Sequence, residues 1–158
     1  MKDQKKILIV SHQYLPHLSP RTTRWKLLIN DLIKRGHKVS ILTGTYPDFD
    51  HNNLNVIYFG NKNNKNIVSN LREKSKNIES KKLMTKLFYN FLKKIYRFII
   101  NYLAWPDYSM FWVYQIYKNR NNISKDFDVI ISVSLPFSSH IGAYIINKNE
   151  RKYWIMDI

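Results

Sequence analysis

Cysteine is missing altogether, and glycine occurs only four times in 158 residues. The first absence removes disulfides, thiolate metal sites and cysteine nucleophiles. The second leaves no room for glycine-rich phosphate loops: neither a GxGxxG fingerprint nor a Walker loop is present, so P-loop chemistry is excluded. The five histidines, at 12, 17, 37, 51 and 140, show no HxxxH or HxH spacing, so no metal site is expected. Acidic residues are scarce as well. Eleven Asp and Glu stand against 26 Lys and Arg, and the net charge of +15 calls for a polyanionic partner: nucleic acid, an anionic lipid surface or a phosphorylated substrate. Because abundant Asn, Lys and Ile also follow from AT-rich coding, only clustered charge is informative.

What is present belongs to a folded protein. Hydrophobic residues make up 44% and aromatics 15%, enough large apolar side chains to offset the entropy of ordering. The length fits one ordinary domain. MKDQKK runs straight into a strand-like segment, without a signal peptide's apolar stretch and cleavage site, so a cytoplasmic address is expected.

KILIVS at 6–11 is apolar without alternation, the pattern of a strand covered on both faces in a parallel sheet. The loop HQYLPHLSP leads into a helix that Ser19 can cap and Pro20 can open, with Trp25, Leu28, Ile29 and Leu32 on one face and Gly36 at its end. VSILT at 39–43 and LNVIYF at 54–59 read as the second and third strands. Residues 60–80 are polar and rich in Asn and Lys. Helical patterns follow at 81–104 and, after a WPD break, from about Tyr108 to Asn121. DVIISV at 128–133, a helix over 139–147 and the strand YWIMDI complete the order. The expected fold class is α/β, a Rossmann-like parallel sheet with helices on both faces and right-handed crossovers.

Ligands of open α/β sheets bind beyond the carboxyl ends of strands, so two loops hold the candidate chemistry. In the loop after the first strand, His12 can act as a base or bind phosphate, and Arg21 or Arg24 can clamp an anion bidentately; simple solvation of these groups is the competing reading. The second loop, SLPFSSH at 134–140, offers Ser138, Ser139 and His140 without a GxSxG elbow. Capping of the next helix by Ser138 or Ser139 is therefore expected rather than a hydrolase nucleophile.

The segment 81–104 carries the clearest charge pattern. Lys82, Lys86, Asn90, Lys93, Arg97 and Asn101 form one polar stripe, and the remaining surface is apolar and aromatic. Charges recur too often for a membrane-spanning helix. Between 60 and 104, 11 Lys or Arg face Glu73 and Glu79, a local net of +9. Two readings fit: a helix in the headgroup plane, with Lys82, Lys86, Lys93, Lys94 and Arg97 meeting anionic lipid, or a core helix with a solvated lysine stripe. No RRM or helix-turn-helix signature accompanies the charge, so nucleic acid is not the expected partner.

ILIVSHQYLPHLSPRTTRW, RGHKVSILTGTYP at 35–47, DVIISVSLPFSSHIGA at 128–143 and YWIMDI together resemble the N-terminal domain of family-4 glycosyltransferases, in the branch that builds bacterial envelope polysaccharide. The resemblance runs the length of the chain and implies one half of a GT-B fold: residues 1–158 as the acceptor-side domain, with a basic amphipathic helical insertion at 60–107. It departs from the family where Leu18, Ser19 and Pro20 replace the glycines usual after the first strand. It also implies a second, donor-binding domain that this sequence does not contain. A truncated chain, inactive alone, is the expectation, with a separate donor-binding domain or subunit as its complement.

The implied reaction moves a sugar from a nucleotide sugar to a lipid-linked or polysaccharide acceptor at the inner face of the cell membrane, without metal. No cofactor is expected on this chain. Acceptor or phosphate contacts are expected from His12, Tyr14, Arg21, Arg24, Ser139 and His140, and from Asp157 as the start of an interrupted Asp motif; no catalytic residue is assigned. The alternative is a non-catalytic basic α/β module, peripheral to membrane or bound to nucleic acid.

Overall fold

A computed structural model of the chain describes residues 4–45, 54–60, 107 and 109–158. By its contacts the chain divides into two compact units, Met1–Gly60 with Pro106–Ile158, and Asn61–Trp105. The fold below is that of the first. The basic stripe with Lys82, Lys86, Lys93, Lys94 and Arg97 lies outside the described residues.

The five apolar runs become five strands, β1 (Lys6–Val10), β2 (Lys38–Thr43), β3 (Asn55–Tyr58), β4 (Val129–Val133) and β5 (Tyr153–Asp157). All pair in parallel, in the order β3-β2-β1-β4-β5. Ile9 sits between Ile41 and Ile131 in register. The absence of alternation in β1 has its cause here: Leu8, Ile9 and Val10 are all buried, because helices cover both faces of the sheet.

One face, made by Ile7, Ile9, Val39, Ile41, Ile131 and Val133, packs against Trp25 and Ile29 of helix α1 (Pro20–Lys34). The other, made by Leu8, Val10, Leu42 and Ile130, packs against Trp112 and Ile116 of α2 (Met110–Asn119) and Ala143 and Ile146 of α3 (Ser138–Asn147). Burying one such side chain contributes about 1.5–3 kcal/mol, so these two layers hold the domain together.

The start of α1 forms as its sequence dictates. Ser19 Oγ accepts from the Thr22 N–H at 3.2 Å, and Thr22 Oγ1 accepts from the Ser19 N–H at 2.8 Å, a reciprocal cap worth about 1 kcal/mol. Its end is equally specified. The Gly36 N–H reaches the Ile33 carbonyl and the His37 N–H the Leu32 carbonyl, a Schellman closure requiring the left-handed φ of +90° that Gly36 adopts without strain.

One expectation needs correction. The start of α3 is not capped by Ser138 or Ser139: its N-cap is Phe137, without a side-chain cap, and Ser138 is already inside the helix. The outer strands β3 and β5 are less buried than β1. Tyr153 and Ile155 are 83% and 53% exposed, because β5 is a sheet edge and α1 covers the odd-numbered face only as far as β4.

Candidate functional site

α1 leaves β1 over one face of the sheet, and α3 leaves β4 over the other. Their loops therefore part beside each other at the β1/β4 boundary, the topological switch point where doubly wound sheets open a crevice. Residues more than a hundred positions apart meet there.

The His12 N–H donates to Ser139 Oγ at 3.2 Å, and the His12 carbonyl accepts from the Gly44 N–H at 3.0 Å and from the Thr43 and Thr45 hydroxyls. The end of β1 is thus tied to β2 on one side and α3 on the other. The His12 ring meets Trp112 edge-on at 5.1 Å. Gly44 makes room for it: a Cβ there would stand 2.6 Å from His12 Cδ2. Burial lowers the His12 pKa below 6.5, with the negative charge of Asp107 opposing the shift, so the imidazole is neutral at pH 7.

Asp107 is the hub of this wall. Its carboxylate accepts from the Ser138 N–H at 2.8 Å, the Ser138 hydroxyl at 2.6 Å and the Ser109 N–H at 2.8 Å. An anion here caps α3 from outside the helix, satisfying an otherwise orphaned donor and complementing the positive end of the dipole.

His140 is only 4% exposed, and its Nδ1 lies 2.7 Å from Ser132 Oγ, which accepts from Trp154 Nε1–H at 2.9 Å. Indole can only donate, so Ser132 Oγ accepts from Trp154, and the direction of its bond to His140 Nδ1 is set by the imidazole tautomer. Burial depresses the His140 pKa, against the opposing charge of Asp157, in keeping with a neutral ring.

The other wall is charged and open. Arg21 donates to the Leu135 carbonyl across the crevice, and Arg24 pairs with Asp157, whose same oxygen accepts from Trp25 Nε1–H at 2.8 Å. Leu135 holds a left-handed φ of 54°, uncommon for a residue other than glycine. Pro20, Arg21, Arg24, Ser134, Leu135, Asp157 and Ile158 line a depression of about 400 Å³. The lining side chains carry two cations, Arg21 and Arg24, and one anion, Asp157. Each guanidinium has five N–H donors and commits one to the bond named here, so the depression suits an anionic or hydroxyl-rich ligand.

Of the residues expected from sequence, Arg21, Arg24 and Asp157 come together on this surface. His12, Ser139 and His140 lie behind it, with hydrogen bonds turned into the fold, and shape the crevice rather than line the depression. Tyr14 departs further: it is 3% exposed and packs with Trp25 and Ile29, and burial raises its pKa. Ser139 and His140, though adjacent, engage different partners and do not form a nucleophile–base pair.

Sequence reasoning missed Asp107, Trp112, Ser132 and Trp154. Asp107 stands in the WPD break, but its partner Ser138 is 31 positions on, and no spacing rule links them. Among the described residues no cluster of His, Asp or Glu could hold a metal ion, and no helix is long and apolar enough to cross a membrane.

The fold defines the class, a doubly wound parallel α/β domain with a switch-point crevice. No protein-family model matches the chain, and no curated protein matches it. Among solved structures it is similar to the C-terminal domain of a hydrogenase from Pyrococcus furiosus, at 10% identity and a TM-score of 0.49, over 99% of this chain and 94% of that one. A likeness at that level carries no function across.

Proposed function

We propose that the chain is the acceptor-binding domain of a glycosyltransferase that moves a sugar from a nucleotide sugar to a lipid-linked or polysaccharide acceptor in envelope polysaccharide synthesis. One observation carries the reading. The two loops on which the family resemblance rests, 12–21 and 134–140, meet across the switch point through the Arg21 and Ser139 hydrogen bonds and border one depression lined by Arg21 and Arg24. In this reading Arg21 and Arg24 meet the phosphate or hydroxyl groups of the acceptor, and Asp157 orients Arg24 and accepts from a hydroxyl. Neutral His12, Ser139 and His140 hold the two loops in place. The nucleotide sugar belongs to a separate donor-binding domain or subunit, and the cations at 82–97 supply the contact with the inner membrane surface.

The test is a two-dimensional NMR titration with a short-chain polyprenyl diphosphate carrying one sugar, in bicelles. Shifts are expected at Arg21, Arg24 and 134–140, and the Arg21→Ala/Arg24→Ala double variant abolishes them while its other resonances stay native. A nucleotide sugar leaves the spectrum unchanged. Perturbation confined to other surfaces, or no response, rejects the acceptor assignment.

A further inference from the structure

The outward face of α2 plays no part in the crevice. Trp112, Val113 and Ile116 turn inward, whereas Phe111, Tyr114 and Tyr117 are 66%, 61% and 53% exposed. Phe111, Tyr114 and Lys118 fall at i, i+3 and i+7, one stripe along the helix, and Tyr117 flanks it with the Arg120 guanidinium 4.3 Å from its ring centroid. From Met110 to Lys125 the chain has Lys118, Arg120 and Lys125 and no acid.

Three large aromatics side by side on one ten-residue helix are not scattered surface apolar residues; contiguous patches of this kind mark an interaction face. Their chemistry selects the partner. Phenol and phenyl rings favour the boundary between acyl chains and headgroups, with the hydroxyl in the polar layer. A guanidinium grips phosphate with paired N–H donors, and lysine adds a point charge. An anionic bilayer surface offers the apolar stratum and the phosphates at the heights such a face needs, and the chain approaches it with a net +15.

We infer that α2 rests in the plane of an anionic phospholipid surface, with Phe111 and Tyr114 entering below the phosphates and Lys118 and Arg120 meeting them. This contact is distinct from the one assigned to 82–97 and does not depend on the acceptor reading.

The absence of native cysteine allows a test on the full chain. Gln115→Cys on α2 and Lys26→Cys on α1, across the sheet, each carry one environment-sensitive fluorophore. The vesicles are phosphatidylcholine alone, or an equimolar mixture with phosphatidylglycerol. Expected is a blue shift and protection from iodide quenching at position 115 only, with anionic vesicles only, weakening as salt rises. Phe111→Ser/Tyr114→Ser lowers vesicle affinity about tenfold or more with an unchanged circular dichroism spectrum. Lys82→Glu/Lys86→Glu/Lys93→Glu/Lys94→Glu leaves the shift at 115 in place when protein is fully vesicle-bound. Vesicle binding with position 115 still open to iodide, or no binding to anionic vesicles, overturns the assignment. So does a serine double variant that binds as wild type.

Discussion

Replacing Asp107 by alanine removes a carboxylate that three donors share, two of them on Ser138, which is fully buried at the first turn of α3. A hydrogen bond to a charged acceptor contributes about 1.5–3 kcal/mol, and loss of a helix N-cap costs about 1 kcal/mol. The three bonds act as a unit and are not additive, and water can reach part of the vacated space, so the expected loss is about 3 kcal/mol. For a chain of this size that lowers Tm by about 6–12 °C. Asp107→Asn keeps one acceptor oxygen but turns an amide N–H toward a donor, and should lose about half as much. Urea denaturation with both variants measures the difference. A second readout separates the electrostatic role from the structural one. Because the Asp107 charge raises the His12 pKa against burial, both variants should move the His12 imidazole titration, followed by NMR, further down. An Asp107→Ala protein within about 0.5 kcal/mol of wild type refutes the capping argument. An unmoved His12 titration refutes the electrostatic one.

Three further outcomes are expected. Gly44→Ala drives a Cβ to 2.6 Å from His12 Cδ2 and 3.1 Å from Trp112 Cδ1, so the His12 ring must move; a loss of about 1–3 kcal/mol and displaced His12 and Trp112 resonances check this. Stability should fall on mild acidification: His12 and His140 titrate below 6.5 in the native state, so as pH drops through 6.5 the unfolded chain takes up protons that the folded chain refuses. Urea melts between pH 7.5 and 5 should show a slope of at most about 2.7 kcal/mol per pH unit, levelling off below the native pKa values, and a flat profile counts against both burials. Asp157→Ala strands the buried Trp25 Nε1–H and should cost about 1–2 kcal/mol, whereas Arg24→Ala removes only a half-exposed ion pair and should cost under about 1 kcal/mol; equal losses in denaturation would show that the indole bond carries no weight.

Legibility followed the range of the interactions. β1 and β4 announced themselves because burial on both faces forces an unbroken apolar run, and α1 because Ser19, Pro20 and Gly36 act within a few residues of themselves. The start of α3 was misread for the opposite reason: serines before a helix look like caps, but a carboxylate 31 positions upstream takes that role. Tyr14 looked like a loop residue available to ligand, and only the packing of α1 across the sheet buries it.

The candidate site divides along the same line. Among the described residues the sequence by itself determined the strands and helices, and it determined the positive charge and the two strand-end loops, since propensity, periodicity and capping are local. Only the tertiary structure decided that β1 and β4 are neighbours, that Arg21 reaches Leu135 while Arg24 and Trp25 share Asp157, and that the half-buried His12 ring packs against Trp112 beside Gly44. Each of these pairings joins residues at least 30 positions apart, and their proximity follows from the order in which strands enter the sheet, which no local pattern encodes.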